Sequence, residues 1–138
     1  MLKTLLQHSV PEISTKEAYQ QKDNALFLDA RATEEFQVSH LKGAKIIGYA
    51  KINWPVLKGV AKNQPIIVYC SVGYRSEKVA EKLINAGYSK VSNLYGGIFA
   101  WINAGHPVYK QDQLTQKVHP YNRRWGKWLN KGEATYKP

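Results

Sequence analysis

The sequence predicts an α/β fold in which helices cover both faces of a central, mostly parallel sheet. Short apolar runs rich in β-branched residues alternate along the chain with segments whose apolar side chains recur at helical spacing. Strands that alternate with helices form βαβ units, which lead to a parallel sheet with helices on both sides. The 138 residues are enough for one such domain with a core of its own.

Four apolar segments are predicted to be strands of this sheet. Residues 65–69 give the clearest one, because they are rich in β-branched side chains and open with a proline. Residues 25–28 form a short apolar run that ends at Asp29, as suits a buried parallel strand. Residues 91–94 give a third strand, and residues 45–47 give a weaker fourth.

Two helices are predicted in the first part of the chain. Ser14 and Glu17 have the spacing of a capping box, so a short helix should run to about residue 21. Thr33 is expected to cap a brief helix over residues 34–36.

Two further helices follow the later strands. Residues 76–86 carry an apolar stripe at helical spacing, and Gly87 ends the pattern. The hydroxyl of Ser76 is expected to cap this helix. A Gly-Gly turn then precedes a helix over residues 98–104.

The bulk composition excludes several classes of protein. Hydrophobic residues make up 43% of the chain, which is ordinary for a globular protein and argues against disorder. No stretch approaches the roughly 18 consecutive apolar residues of a membrane helix. The start of the chain also lacks the apolar run of a signal peptide. We therefore expect a cytoplasmic protein with no membrane partner.

The composition changes near residue 109, so we predict a domain over residues 1–109 and a basic, aromatic extension over residues 110–138. The net charge of the chain is +10. The domain holds 13 Lys and Arg against 8 Asp and Glu, whereas the much shorter extension holds 7 against 2. Half of the net charge is therefore concentrated in the extension.

Cations and aromatic side chains alternate over residues 120–129 of the extension: Tyr121, Arg123, Arg124, Trp125, Lys127 and Trp128. Exposed tryptophans usually have a partner. We expect this segment to pack on its own domain or to support self-association, and recruitment of a protein partner is the next alternative. Such a mixture can also stack on nucleic acid bases, which is the least favoured alternative.

Cys70 is the single cysteine of the chain. It cannot form an internal disulfide, and no Cys/His cluster indicates zinc or another metal. A free cysteine is usually an inert, buried side chain. Its surroundings must therefore decide whether Cys70 has a chemical role.

The predicted order of strand, loop and helix places Cys70 at the carboxyl end of a strand, where open α/β sheets bind ligands. Loop amides and the free N–H groups of the following helix converge there and favour anions. They also favour the thiolate, which is the nucleophilic form of cysteine. Gly73 permits the positive φ that a tight loop often needs.

The loop over residues 70–76, C-S-V-G-Y-R-S, resembles the C-x-x-G-x-R-S active-site loop of rhodanese-like domains. Three further segments resemble the same family in the same order. Residues 28–36 are similar to its L-D-x-R-x-x-x-E-[FY] segment, and residues 40–44 to its H-[IL]-x-G-A segment. Residues 94–108 are similar to its G-G-[IL]-x-A-W-x-x-A-G-x-P-V ending.

This resemblance implies a rhodanese-like fold and a sulfurtransferase that works by double displacement. Cys70 would take the outer sulfur of thiosulfate or another persulfide donor, carry it as a persulfide, and pass it to cyanide or a thiol. No metal or organic cofactor is required. The residues expected to hold the substrate are Ser71, Val72, Gly73, Tyr74, Arg75, Ser76 and Arg31.

Asp29, Glu35 and His40 are assigned to structural support of the site. Arg75 is expected either to face the donor anion or to pair with Asp29 or Glu35, and the pairing is favoured. For Arg31, substrate contact and structural bracing are equally open. His40 is expected to tie a loop by hydrogen bonds rather than to act as a base.

Two other functions stay open. A rhodanese-fold module could bind proteins without catalysis, although a pure binder has no need of the intact Cys70 loop. Phosphatases with a cysteine loop use C-x5-R, whereas four residues separate Cys70 from Arg75. The shorter loop suits a single sulfur atom better than a phosphate, so phosphatase or arsenate reductase activity is disfavoured. The physiological donor and acceptor stay open.

Overall fold

The structure is a computed structural model that describes residues 6–121, 129 and 131–137. Its central sheet has five strands in the order β1-β5-β4-β2-β3, and each adjacent pair is parallel. The strands are β1 (Glu12–Ile13), β2 (Leu26–Asp29), β3 (Lys45–Ile46), β4 (Ile66–Tyr69) and β5 (Val91–Leu94). The predicted α/β class with a central parallel sheet is confirmed. The sequence did not indicate β1, which is a two-residue edge strand.

The described part of the chain contains four α-helices and one turn of 3-10 helix. These are α1 (Thr15–Gln20), α2 (Thr33–Val38), the 3-10 turn Trp54–Leu57, α3 (Tyr74–Asn85) and α4 (Gly97–Asn103). The predicted capping box of α1 is confirmed, since Ser14 Oγ accepts the Glu17 N–H and Glu17 accepts the Ser14 N–H. None of these helices is long and apolar enough to cross a membrane.

Two predicted helix caps are wrong. Thr33 is the first residue of α2 itself, and the carboxylate of Glu35 accepts the N–H of the preceding Ala32 at 2.8 Å. Helix α3 begins at Tyr74, because Gly73 adopts a left-handed φ of 113° and becomes the N-cap. Ser76 therefore lies inside the first turn, where its hydroxyl points at other partners.

The sheet has a hydrophobic core on each face, because alternate side chains of a strand point to opposite sides. Phe27 and Ile67 pack on one face with α1 and α4, whereas Leu28 and Val68 pack on the other face with α3. Helices therefore cover both faces, as predicted.

The described residues of the extension pack on the domain. Strand β6 (Val108–Lys110) pairs antiparallel with β7 (Gln113–Thr115), so a hairpin spans the predicted domain boundary. The division into a domain and an extension stays a prediction. Strand β8 (Lys117–Val118) pairs in parallel with β9 (Glu133–Ala134). Val118 is fully buried in the core on the α4 face, and Leu129 packs against the same cluster. Residues 122–128 of the cation and aromatic segment, with Arg123, Arg124, Trp125, Lys127 and Trp128, lie outside the described residues.

Candidate active site

The sheet places Cys70 at the carboxyl end of its central strand. Strand β4 lies between β2 and β5 and ends at Tyr69, one residue before the cysteine. The loop then turns at Gly73 into α3. The side chain of Cys70 lies on the α3 face of the sheet and has no exposed surface. The predicted position of the cysteine, between a strand and a helix N-terminus, is what the structure shows.

Hydrogen-bond donors converge on Cys70 Sγ. The backbone N–H of Gly73 donates at 3.1 Å, and that of Ser76 donates at 3.4 Å. The Ser76 hydroxyl lies 3.3 Å from the same sulfur. The N–H groups in the first turn of a helix have no carbonyl partner within the helix, so they are available to an anion. This geometry favours negative charge on the sulfur, or on a second sulfur bonded to it.

Asn93 on β5 holds this arrangement in place and was not singled out from the sequence. Its side chain is fully buried. Asn93 Nδ2 donates to the carbonyl of Gly73 at 3.0 Å, and Oδ1 accepts from the hydroxyl of Ser76 at 2.6 Å. Because the hydroxyl has one hydrogen, Asn93 and Cys70 compete for it. The available signal was a polar side chain within a predicted strand, residues 91–94.

The N-terminus of helix α4 donates hydrogen bonds to the backbone of the Cys70 loop. The N–H of Ile98 donates to the Cys70 carbonyl at 2.9 Å, and that of Phe99 donates to the Ser71 carbonyl at 3.1 Å. Gly97 makes this approach feasible, because a Cβ at this position would lie 2.5 Å from both carbonyl oxygens. The predicted Gly-Gly turn is therefore the place where α4 meets the loop.

Arg75 forms a buried ion pair with Glu35. Its Nη1 and Nη2 donate to the two carboxylate oxygens at 2.8 and 3.0 Å, and Nη2 also donates to Ser71 Oγ at 2.9 Å. Of the two partners that the sequence left open, Glu35 is the one used. Arg75 is thus bonded through Nη2 to Ser71, the loop residue next to Cys70.

Each member of this pair keeps the other ionised. Burial raises the pKa of Glu35, but the hydrogen bond and charge of Arg75 outweigh it, so the pKa lies below its ordinary value of 4.5. Burial lowers the pKa of Arg75, but the hydrogen bond to Glu35 and the charges of Cys70 and Glu35 raise it overall. The positive charge of Arg75 at the loop is therefore balanced by the carboxylate of Glu35.

Asp29 and Arg31 form a second, deeper pair. Arg31 Nη2 donates to Asp29 Oδ2 at 2.7 Å and to the Ser39 carbonyl at 2.6 Å, and both side chains of the pair are fully buried. The charge and hydrogen bond of Asp29 outweigh burial and raise the pKa of Arg31. Substrate contact by Arg31 stays a prediction, while the observed contacts are those of a brace between β2 and the end of α2.

The remaining candidates make backbone hydrogen bonds, local side-chain contacts or core packing, and His40 Nδ1 lies 3.1 Å from the Phe36 carbonyl oxygen. The backbone N–H and carbonyl of His40 each bond Tyr109, at 2.8 Å, and its ring stacks on Phe36 with 4.0 Å between centroids. The side chain of Val72 is buried in the core on the α4 face. Tyr74 is the first residue of α3 and is half-buried.

Tyr121 of the extension contacts this site, which local sequence pattern alone could not predict. The ring of Tyr121 lies over the guanidinium of Arg75, with 4.4 Å between Arg75 Cζ and the ring centroid. This is the geometry of a cation–π contact. The extension is therefore in contact with the site that the domain builds.

Comparison with known proteins gives consistent results. The family model described as "Rhodanese-like domain" matches residues 14–104. The chain is 33% identical over 102 residues to thiosulfate sulfurtransferase 18 of Arabidopsis thaliana, covering 63% of this chain and 74% of that protein. It is 31% identical over 99 residues to thiosulfate sulfurtransferase GlpE of Coxiella burnetii, covering 70% of this chain and 91% of that protein.

A solved structure supports the same fold. A rhodanese-like domain protein from Staphylococcus aureus superposes with a TM-score of 0.58 at 27% identity. The superposition covers 75% of this chain and 95% of that chain. The matched family segment contains the whole Cys70 loop, both buried ion pairs and Asn93.

Proposed function

The chain belongs to the rhodanese-like domain family, and on that premise we propose that it is a sulfurtransferase that carries sulfur as a persulfide on Cys70. The observation that carries the proposal is the convergence of the Gly73 and Ser76 donors on Cys70 Sγ. Relatives at 31–33% identity are named thiosulfate sulfurtransferases. We place the reaction in the cytoplasm, because a lone thiol that must stay reduced suits a reducing compartment.

The proposed reaction has two displacements. The Cys70 thiolate attacks the outer sulfur of thiosulfate, the sulfur–sulfur bond of the donor breaks, and sulfite leaves with the electron pair. The outer sulfur now carries negative charge on Cys70. Cyanide then attacks that sulfur through its carbon, thiocyanate leaves, and the electron pair returns to Cys70 Sγ as thiolate.

The residues around Cys70 have separate parts in this scheme. The N–H groups of Gly73 and Ser76 stabilise the charge on the terminal sulfur, as oriented donors do in an oxyanion hole. Asn93 keeps the Ser76 hydroxyl beside the sulfur. Because Glu35 balances the charge of Arg75, attraction of the donor rests on the loop amides. Thiosulfate and the persulfide of a thiol are both consistent with such a site.

A steady-state assay tests this proposal. The full chain should form thiocyanate from thiosulfate and cyanide, and it should also accept sulfur from glutathione persulfide. Free thiol and sulfite are measured as the leaving products of the first displacement. A folded protein that transfers no sulfur from either donor would leave the chain a non-catalytic member of the family.

Ser76→Ala is expected to slow sulfur uptake by Cys70 about tenfold, because loss of one hydrogen bond costs ~1–1.5 kcal/mol. The variant removes one donor at Sγ and leaves Asn93 Oδ1 without its partner. The measurement is the single-turnover rate with thiosulfate. The control is Ser92→Ala on β5, the strand that carries Asn93, and it should react as the wild type does. A change below about twofold in Ser76→Ala would assign the hydroxyl to structure alone.

The wild type is expected not to hydrolyse aryl phosphates. Four residues separate Cys70 from Arg75, and both Nη atoms of that arginine are engaged by Glu35 and Ser71. The guanidinium of Arg75 therefore has no free pair of N–H groups to bind two phosphoryl oxygens. Release of nitrophenol from its phosphate ester is the measurement. Efficient turnover that disappears in Cys70→Ser would favour a phosphatase over a sulfurtransferase.

A further inference from the structure

The described residues of the extension contact the domain at the core on the α4 face and at Arg75. At the first of these places β8 pairs with β9, where the N–H of Thr135 donates to the carbonyl of Val118 at 2.8 Å. Val118 is fully buried beside α2 and α4. Strand β8 is therefore anchored to the domain immediately before the segment that carries Tyr121.

Tyr121 is placed over Arg75 by its own backbone. It adopts a φ of 68°, a left-handed conformation that bulky side chains rarely accept without support. Its N–H donates to His119 Nδ1 at 3.0 Å. Burial lowers the pKa of His119, so its ring is neutral and keeps Nδ1 as an acceptor at neutral pH.

The ring of Tyr121 packs on the same guanidinium that forms the ion pair. Arg75 donates to Glu35 and Ser71, and its Cζ lies 4.4 Å from the centroid of the Tyr121 ring. Ser71 is the neighbour of Cys70, and Cys70 itself has no exposed surface. Arg75 and Ser71 therefore link the ring of Tyr121 to the loop that holds Cys70. The ring is 41% exposed, so it forms part of the surface beside this loop.

We propose that Tyr121 is a specificity-determining residue that restricts the size of the molecule reaching Cys70. Compact donors such as thiosulfate are favoured over bulky ones such as glutathione persulfide. The donor assignment rests on the proposed function, whereas the restriction on size concerns access to the thiol itself.

Alkylation of the full chain tests access without any sulfur chemistry, because Cys70 is the single thiol. The rates of reaction with iodoacetamide and with fluorescein maleimide are compared. Tyr121→Ala should raise the maleimide-to-iodoacetamide rate ratio several-fold, because removal of the ring relieves the bulky reagent more than the compact one. Tyr121→Phe keeps the ring and should keep the wild-type ratio. Leu114→Ala, an exposed change on β7 in the same extension, should also leave it unchanged.

Sulfur uptake gives the second arm. Tyr121→Ala should raise the rate with glutathione persulfide relative to thiosulfate by a similar factor, with the melting temperature recorded for each variant. An unchanged ratio in either arm overturns the proposal. If the wild type accepts no sulfur, the proposed function and the donor assignment both fail, and the alkylation ratio alone decides whether Tyr121 restricts access.

Discussion

Cys70→Ser is expected to abolish sulfur uptake and thiocyanate formation, a loss of about a thousandfold or more. A serine hydroxyl is not ionised near neutral pH, so the Gly73 and Ser76 donors would surround a group that cannot attack the donor sulfur. The chain has no second cysteine that could replace the first. Thiocyanate formation with saturating thiosulfate and cyanide is the measurement.

This loss should arise with the fold intact. Serine is close to cysteine in volume, and the hydroxyl can accept the same N–H groups that the sulfur accepts. The melting temperature should therefore fall by only a few degrees, as for a burial change of about 1 kcal/mol. Transfer at the wild-type rate in a verified Cys70→Ser protein would exclude Cys70 as the sulfur carrier.

Glu35→Gln is expected to lower the free energy of unfolding by about 3 kcal/mol, because it leaves the buried guanidinium of Arg75 without a counter-charge. Both side chains are at least nine-tenths buried, so water compensates little for the missing carboxylate. Urea unfolding measures the change. Glu34→Gln is the matched control, since Glu34 is exposed on the same helix and should change the stability by less than about 0.5 kcal/mol.

The pH dependence of this effect has a definite sign. The pKa of Glu35 is lowered in the folded protein from its ordinary value of 4.5. Its contribution to stability is therefore present above pH 4.5 and is lost as the pH falls through the folded value. The difference between the wild type and Glu35→Gln should be full at pH 7 and shrink in acid. A difference that grows on acidification would contradict the ion-pair assignment.

A double variant separates the ion pair from simple packing. Glu35→Gln combined with Arg75→Met removes both buried charges and should recover part of the stability lost in Glu35→Gln alone. If the two single losses simply add, the residues are not coupled, and the contact between them contributes nothing beyond its packing.

The central strands of the fold could be predicted because their apolar side chains are local signals. Residues 65–69 give the buried strand β4, since a β-branched run between polar residues has few other stable conformations. Residues 91–94 give β5, as predicted. Cys70 could be placed for the same reason, because it directly follows such a run. The predicted caps of α2 and α3 are wrong. The carboxylate of Glu35 bonds the N-terminus of α2, and Gly73 is the N-cap of α3.

Contacts between distant residues could not be derived from local pattern. Glu35 and Arg75 are separated by 40 positions, and two acidic partners for this arginine were compatible with the predicted sheet. Asn93 acquires its role only when β5 lies beside β4. Tyr121 belongs to a segment whose composition fits packing, protein binding or nucleic acid alike, so only the fold brings it to Arg75.

The mass of the intact protein tests the persulfide on Cys70 most directly. The full chain is incubated with thiosulfate, freed of small molecules, weighed, treated with cyanide and weighed again. The proposed function predicts a gain of one sulfur atom that cyanide removes, with neither change in Cys70→Ser. An unchanged mass after thiosulfate and after glutathione persulfide, in a folded protein whose thiol reacts with iodoacetamide, would contradict it.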